Sequence, residues 1–359
     1  MLDDTLLDDP VRLTETDSLG LLRAAASAGA QVRSVVEAAE ESDVTAFVRG
    51  QPRALVLVTR PGVGVAAAEA LLAVLTPACP VPVVVTDSVP SWIGPLDVVV
   101  SHTEDPGDAV LAESIDRAAR YGARVVVTGT EEGPVAAAAA GQALLLPPRV
   151  PVPTGFGFPR AFAAGVVVVS ALGLLDVDPR MVADEMDREA ERDHPMHESF
   201  INPAKSLALR MIDRTPLLWG LDPVATAVAA HAAHVLAGHA GQVCDVVGYQ
   251  QAASRPALHR AAVRSCSADG LFDDPVEEPG GQPRVMLLAV GTGSAADAAR
   301  VVAKDTLPGA DLVTMTDEVT GGDVACAAVL ALRFELAALY LGLVAGTVGG
   351  PGYAVPAIE

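Results

Sequence analysis

Four short apolar, β-branched runs between positions 53 and 129 constrain this chain more than any other feature. They are Arg53–Thr59, Val81–Val85, Asp97–Ser101 and Arg124–Thr128. The first ends in Arg60-Pro61-Gly62-Val63-Gly64 and feeds an alanine-rich helix at Val65–Leu75, and a helix at Asp108–Tyr121 separates the third from the fourth. Continuous apolar strands alternating with helices predict an α/β fold with a parallel sheet covered on both faces. Ligands of such sheets lie beyond the carboxyl ends of the strands. The loops Arg60–Gly64 and Ser101–Asp108 are therefore where a site is to be sought.

The pattern recurs in the second half. Helices are expected at Pro203–Ile212, Pro223–Ala237 and Asp323–Gly342, and strands at Thr215–Trp219, Gln242–Val247, Arg284–Val290 and Asp311–Met315. The proline-dense run Pro147–Pro153 can continue neither a helix nor a central strand. The expected division is an N-terminal domain at 1–150 with a leading helix near Ser18–Glu41, crossover helices within 151–197, and a C-terminal domain at 198–359. Two α/β units of similar size suggest an internal duplication. The acidic, Pro- and Gly-rich segment Asp269–Gln282 reads as a mobile loop.

A net charge of −21, with 22 arginines and only Lys205 and Lys304 as lysines, argues against nucleic acid or an anionic membrane as partner. The four cysteines (Cys79, Cys244, Cys266, Cys326) have neither metal-ligand nor disulfide-framework spacing, which fits reduced thiols in a cytoplasmic protein. Met1-Leu2-Asp3-Asp4 has no signal-peptide character. Ala161–Leu175 is too short to span a bilayer, and Val324–Val348 carries Arg333 and Glu335 at its centre, so both read as buried helices.

Several segments, taken in order, resemble the bifunctional phosphoglucose/phosphomannose isomerase family, built from two sugar isomerase (SIS) domains. They are Leu2-Asp3-Asp4 with Gly20-Leu21-Leu22, the strand–Gly62-Val63-Gly64–helix unit, Val81–Val85 with Val89–Pro95, and the strand ending in Ser101. Phe158-Pro159-Arg160-Ala161-Phe162, Asn202–Ala208 and Leu339–Leu343 match as well. The resemblance implies two flavodoxin-like SIS subdomains, each a parallel sheet flanked by helices, and a homodimer. It implies a small-molecule sugar phosphate as partner, isomerised between aldose and ketose through an enediol, with no metal or nicotinamide cofactor.

Such chemistry needs a phosphate cradle, a cation for the developing oxyanion, a general base and a group for ring opening. The cradle of the family corresponds to Ser101–Asp108, where Ser101 and Thr103 keep hydroxyls but Glu104, Asp105 and Pro106 replace the glycine, neutral residue and threonine. Two carboxylates beside a phosphate repel it by about 1 kcal/mol each even at water's dielectric. Alternatively, Asp105 and Asp108 cap the following helix. Gly62 and Gly64 permit close backbone approach to a ligand. Arg60 either supplies a phosphate contact or pairs with Glu104. Arg160 aligns with the family's oxyanion cation, with an interdomain salt bridge as the alternative.

The family's base is missing, since no Asp or Glu occurs between Asp222 and Asp245; His239 is the only titratable group close to its position. The ring-opening histidine is replaced in Gly248-Tyr249-Gln250-Gln251, and no lysine follows Lys304. His231 and His234 share a helix face without a third ligand, a poor zinc site. Gly291-Thr292-Gly293-Ser294 follows a strand and opens a helix, as an anion site or a plain turn. The expected function is sugar-phosphate binding with weak or no isomerase activity. The alternatives are an active isomerase using Arg160 and a scaffold subunit that binds nothing.

Overall fold

The computed structural model describes residues 4–76, 79–267 and 282–349. The expected loop (apart from Gln282), the segment Leu2-Asp3 and the tail beyond Gly349 lie outside the described residues. The chain forms two compact units, one of Ser27–Asp187 and one of Met1–Ala26 with Arg188–Glu359.

In the unit Ser27–Asp187 five parallel strands lie in the order β2-β1-β3-β4-β5. They are β1 (Ala54–Val58), β2 (Val83–Thr86), β3 (Asp97–His102), β4 (Arg124–Thr128) and β5 (Leu144–Leu146). This is the flavodoxin-like order. Central β1 and β3 are buried along their whole length. Alternate residues point to opposite faces: Val56, Val58, Val99, Val125 and Val127 pack with Leu111 and Ile115 in one core layer. The helices Val63–Leu75 and Phe158–Ala171 pack against each other. Gly165 is needed there, because a Cβ at that position would lie 2.5 Å from Leu71 Cδ2.

The expected helix Ser18–Glu41 is two helices, Leu21–Ala26 and Ala28–Glu41, broken at Ser27 where the chain passes from one unit to the other. Asp17 accepts the Leu21 and Leu22 N–H groups at 2.8 and 3.0 Å and starts the first of them. The apolar helix begins earlier than expected, at Phe158, because Pro159 suits its first turn, and ends before Gly173, which has φ +69°.

The second unit holds four parallel strands in the order β7-β6-β8-β9: β6 (Arg214–Gly220), β7 (Asp245–Gly248), β8 (Gln282–Ala289) and β9 (Asp311–Thr314). Its central helix, Gly322–Ala345, is long and apolar enough to cross a membrane but is buried from Val324 to Leu343 against the helices Pro223–Ala240 and Pro203–Met211. Arg333 in its middle is charge-paired with Glu189 and Glu318, which removes the cost of burying it alone.

Residues before Ala26 join this unit through a buried cation. Lys205, with no exposed surface, donates to the carbonyls of Leu7, Pro195 and His197 at 2.6, 2.7 and 2.7 Å. Three donors meet three acceptors, which an ammonium group needs when it leaves water.

Candidate functional site

The candidate site lies at the carboxyl edge of the five-stranded sheet, within Ser27–Asp187. After β1 the chain turns at Gly62, whose φ of +118° favours glycine, into the helix Val63–Leu75. A Cβ at Gly64 would meet His102 at an ordinary 3.6 Å, so its lack of a side chain is no requirement. Arg60 does not pair with Glu104. It donates through Nε to Asp108 Oδ2 at 2.6 Å. Asp108 is also the N-cap of the helix Ala109–Arg120, accepting the Leu111 N–H at 2.9 Å. Burial pushes the Asp108 pKa up, but the Leu111 N–H and the Arg60 guanidinium outweigh it and hold the carboxyl below its ordinary range.

The loop after β3 is closed on itself. Ser101 is buried, and its hydroxyl donates to the Val58 carbonyl at 2.9 Å. Thr103 Oγ1 donates to the Asp105 carbonyl at 2.9 Å and accepts the Asp105 N–H at 3.0 Å. Asp105 Oδ1 accepts the Gly107 N–H at 2.8 Å, so it closes a turn rather than capping the helix. The hydroxyls and amides that would meet a phosphate there are therefore largely committed to the loop itself.

Glu104 has a different environment. Its Oε2 accepts the Gly155 N–H at 2.9 Å, and its Oε1 lies 3.9 Å from Arg160 Nη2. Arg160 stands in the first turn of the helix Phe158–Ala171 with only 8 % of its surface exposed. Burial lowers its pKa, partly offset by Glu104. Its partner is thus a carboxylate of its own unit. Arg160, Glu104, Thr103, Thr130 and Thr154, with the segment 148–152, line a cavity of about 440 Å³.

His102 escaped notice in the sequence because a single histidine at a strand end carries no motif. It is buried, with Nδ1 2.6 Å from Thr128 Oγ1, while Nε2 has no hydrogen-bond partner among the described residues. Burial and the nearby Arg160 charge pull its pKa down to about 3, so it is neutral at neutral pH.

His239 belongs to the other unit. Burial and His234 lower its pKa to about 4, and its carbonyl accepts the Thr347 hydroxyl at 2.6 Å. His231 is buried 4.0 Å from Glu335, whereas His234 on the same helix is exposed. Among the described residues no group of three His, Cys, Asp or Glu is placed to hold a metal ion. In the turn after β8, Asp222 Oδ2 accepts the Val290 and Gly291 N–H groups, both at 2.9 Å, as a bound anion would.

No family model and no curated protein matches the sequence. Solved structures do match the fold. The C-terminal domain of glucosamine-fructose-6-phosphate aminotransferase from Francisella tularensis is 10% identical with a TM-score of 0.63, covering 90% of this chain and 95% of its own. Tagatose-6-phosphate ketose/aldose isomerase from Escherichia coli is 11% identical with a TM-score of 0.63, covering 98% and 96%. Identities this low carry the fold alone. With two parallel sheets flanked by helices, this chain shares its flavodoxin-like α/β fold with those structures.

Proposed function

We propose that the unit Ser27–Asp187 binds a carbohydrate derivative, a sugar phosphate by preference, and isomerises it weakly or not at all. The observation that carries this reading is the cavity of about 440 Å³ at the carboxyl edge of the sheet, where Arg160, Glu104 and three threonines gather. Hydroxyl-bearing side chains with one acid, Glu104, and two bases, Arg149 and Arg160, suit a polyol. The likeness of the fold to proteins named for sugar phosphates supports the same class.

Weak turnover follows from the residues themselves. His239, the nearest titratable group to the missing base, has a pKa of about 4 and is a poor proton acceptor at neutral pH. Ser101 and Thr103 spend their hydroxyls within the sheet and loop. Among the sequence-derived candidates the reading keeps Arg160 at the ligand and treats Arg60, Gly62, Gly64, Ser101 and Thr103 as the scaffold behind it. Membership of the phosphoglucose/phosphomannose branch, a homodimer and a cytoplasmic setting belong to the same proposal.

A thermal-shift series with hexose 6-phosphates tests binding, since a ligand at 100 times its Kd stabilises the folded state by about 2.7 kcal/mol. A coupled assay with glucose 6-phosphate and mannose 6-phosphate tests turnover. No shift with any hexose phosphate at millimolar concentration would overturn the binding claim. Turnover on the order of 10 s⁻¹, ordinary for an enzyme, would overturn the claim of weak catalysis.

A further inference from the structure

Two residues of the cavity wall, Arg160 and Glu104, and His102 behind them have unmet hydrogen-bonding capacity. Arg160 is buried, and its Nε has no hydrogen-bond partner among the described residues. Its guanidinium meets Glu104 only at 3.9 Å, beyond hydrogen-bond range. Glu104 uses Oε2 on the Gly155 N–H, while no hydrogen bond reaches Oε1 among the described residues. His102 Nε2 is likewise buried and unpartnered. Glu104 Oε1 and His102 Nε2 crowd the same point, 2.5 and 3.1 Å from where a Cβ on Gly157 would stand.

Buried polar groups are nearly always satisfied, so the buried Arg160 Nε and His102 Nε2, left open beside the free Glu104 Oε1, call for a ligand or water at this corner. A phosphate suits the corner poorly, because Glu104 already balances the Arg160 charge and repels a second anion. A hydroxylated carbon chain suits it well, since each hydroxyl both accepts and donates. One ligand oxygen accepts from Arg160 while its neighbour donates to Glu104 Oε1.

Resting on the sugar-phosphate reading above, we infer that Glu104 and Arg160 form a subsite for two oxygens on adjacent carbons of an open-chain carbohydrate, with the phosphate held elsewhere in the cavity. His102, fixed by Thr128, is a positioning residue behind that pair. Gly157 leaves Glu104 its place, since a Cβ there would stand 2.5 Å from Oε1 and push the carboxylate aside.

Calorimetry with three probes tests the assignment: a hexitol 6-phosphate, the unphosphorylated hexitol and inorganic phosphate. The proteins are wild type, Glu104→Gln and Gly157→Ala. Glutamine keeps an acceptor for Gly155 but loses the charge. Alanine pushes the carboxylate aside, a small adjustment for the end of a flexible side chain. Both variants should weaken hexitol 6-phosphate roughly 10- to 100-fold, the effect of one hydrogen bond to a charged group. Inorganic phosphate should bind Glu104→Gln as well as wild type or better.

Undiminished binding of hexitol 6-phosphate by folded Glu104→Gln and Gly157→Ala overturns the subsite and leaves sugar-phosphate binding standing. Glu104-dependent binding of the free hexitol, without any gain from its phosphate, supports the subsite and overturns the sugar-phosphate reading. Wild type that binds none of the three probes overturns both.

Discussion

Arg60 Nε and Asp108 Oδ2 meet at 2.6 Å across 48 residues of sequence and tie together the loops that leave β1 and β3. The same carboxylate caps the helix Ala109–Arg120 through its other oxygen. One aspartate thus fixes a loop–loop contact and a helix start. Arg60 is spent in this contact and does not stand free for a phosphate.

Asp108→Ala should lose the cap and the ion pair together, and Arg60→Ala only the pair. A lost cap costs about 1 kcal/mol, and a pair this close to the surface adds at most about 1 kcal/mol. Denaturant unfolding of both single variants and the double checks it. If Asp108→Ala costs no more than Arg60→Ala, the capping role is wrong. Because the folded pKa of Asp108 is depressed, its contribution is present above the unfolded value and fades as pH falls through the folded one.

Histidine burial makes the fold acid-sensitive in a defined window. His102 and His231 have folded pKa values of about 3 and His239 of about 4, all below the ordinary 6.5. The unfolded chain therefore binds more protons between about pH 6.5 and 3, and stability falls as pH falls through that range. Each histidine contributes up to about 1.4 kcal/mol per pH unit. His102→Asn should flatten the loss between pH 6 and 4, as read from urea unfolding at several pH values. Parallel curves for variant and wild type would refute it.

Arg333→Ala removes the buried cation of Glu189, leaving it only the more exposed Arg192 at 3.1 Å, and should cost up to about 3–5 kcal/mol, whereas replacing Arg333, Glu189 and Glu318 together by apolar residues should cost far less. The thermal midpoints of the two variants decide between them. Equal losses would mean that packing, and not charge, sets the cost.

Lys205→Met should orphan three carbonyls and cost roughly 3 kcal/mol or more, at about 1 kcal/mol or above for each lost partner. Hydrogen exchange on the N-terminal residues gives a local readout. Protection of the first 26 residues should drop before that of β6, and a uniform drop would argue against the clamp.

The strands were legible because β1, β3, β4, β6 and β8 are buried apolar runs with few competing signals. Two elements of the first sheet were not. The helix Gly133–Ala139 and β5 (Leu144–Leu146) sit in an alanine- and glycine-rich stretch without periodicity. Loop chemistry was legible only in kind. The sequence marked Glu104 as a charge hostile to phosphate, but its contacts with Gly155 and Arg160 lie about 50 residues away and follow from tertiary packing. Asp108 was seen as a cap, yet nothing local indicated that it rather than Glu104 would take Arg60.

The clamp on Leu7 by Lys205 also has a consequence for the order in which the protein is made. Translation runs from the amino end, so residues 4–26 leave the ribosome long before Arg188, where the rest of their unit begins. The segment Ser27–Asp187, by contrast, is contiguous and can close its sheet as soon as β5 and the helix Phe158–Ala171 have emerged. Residues made before Ser27–Asp187 therefore find their place only after it, and their apolar Leu6, Leu7, Leu13, Leu21 and Leu22 must wait uncovered while that whole segment is made and folds.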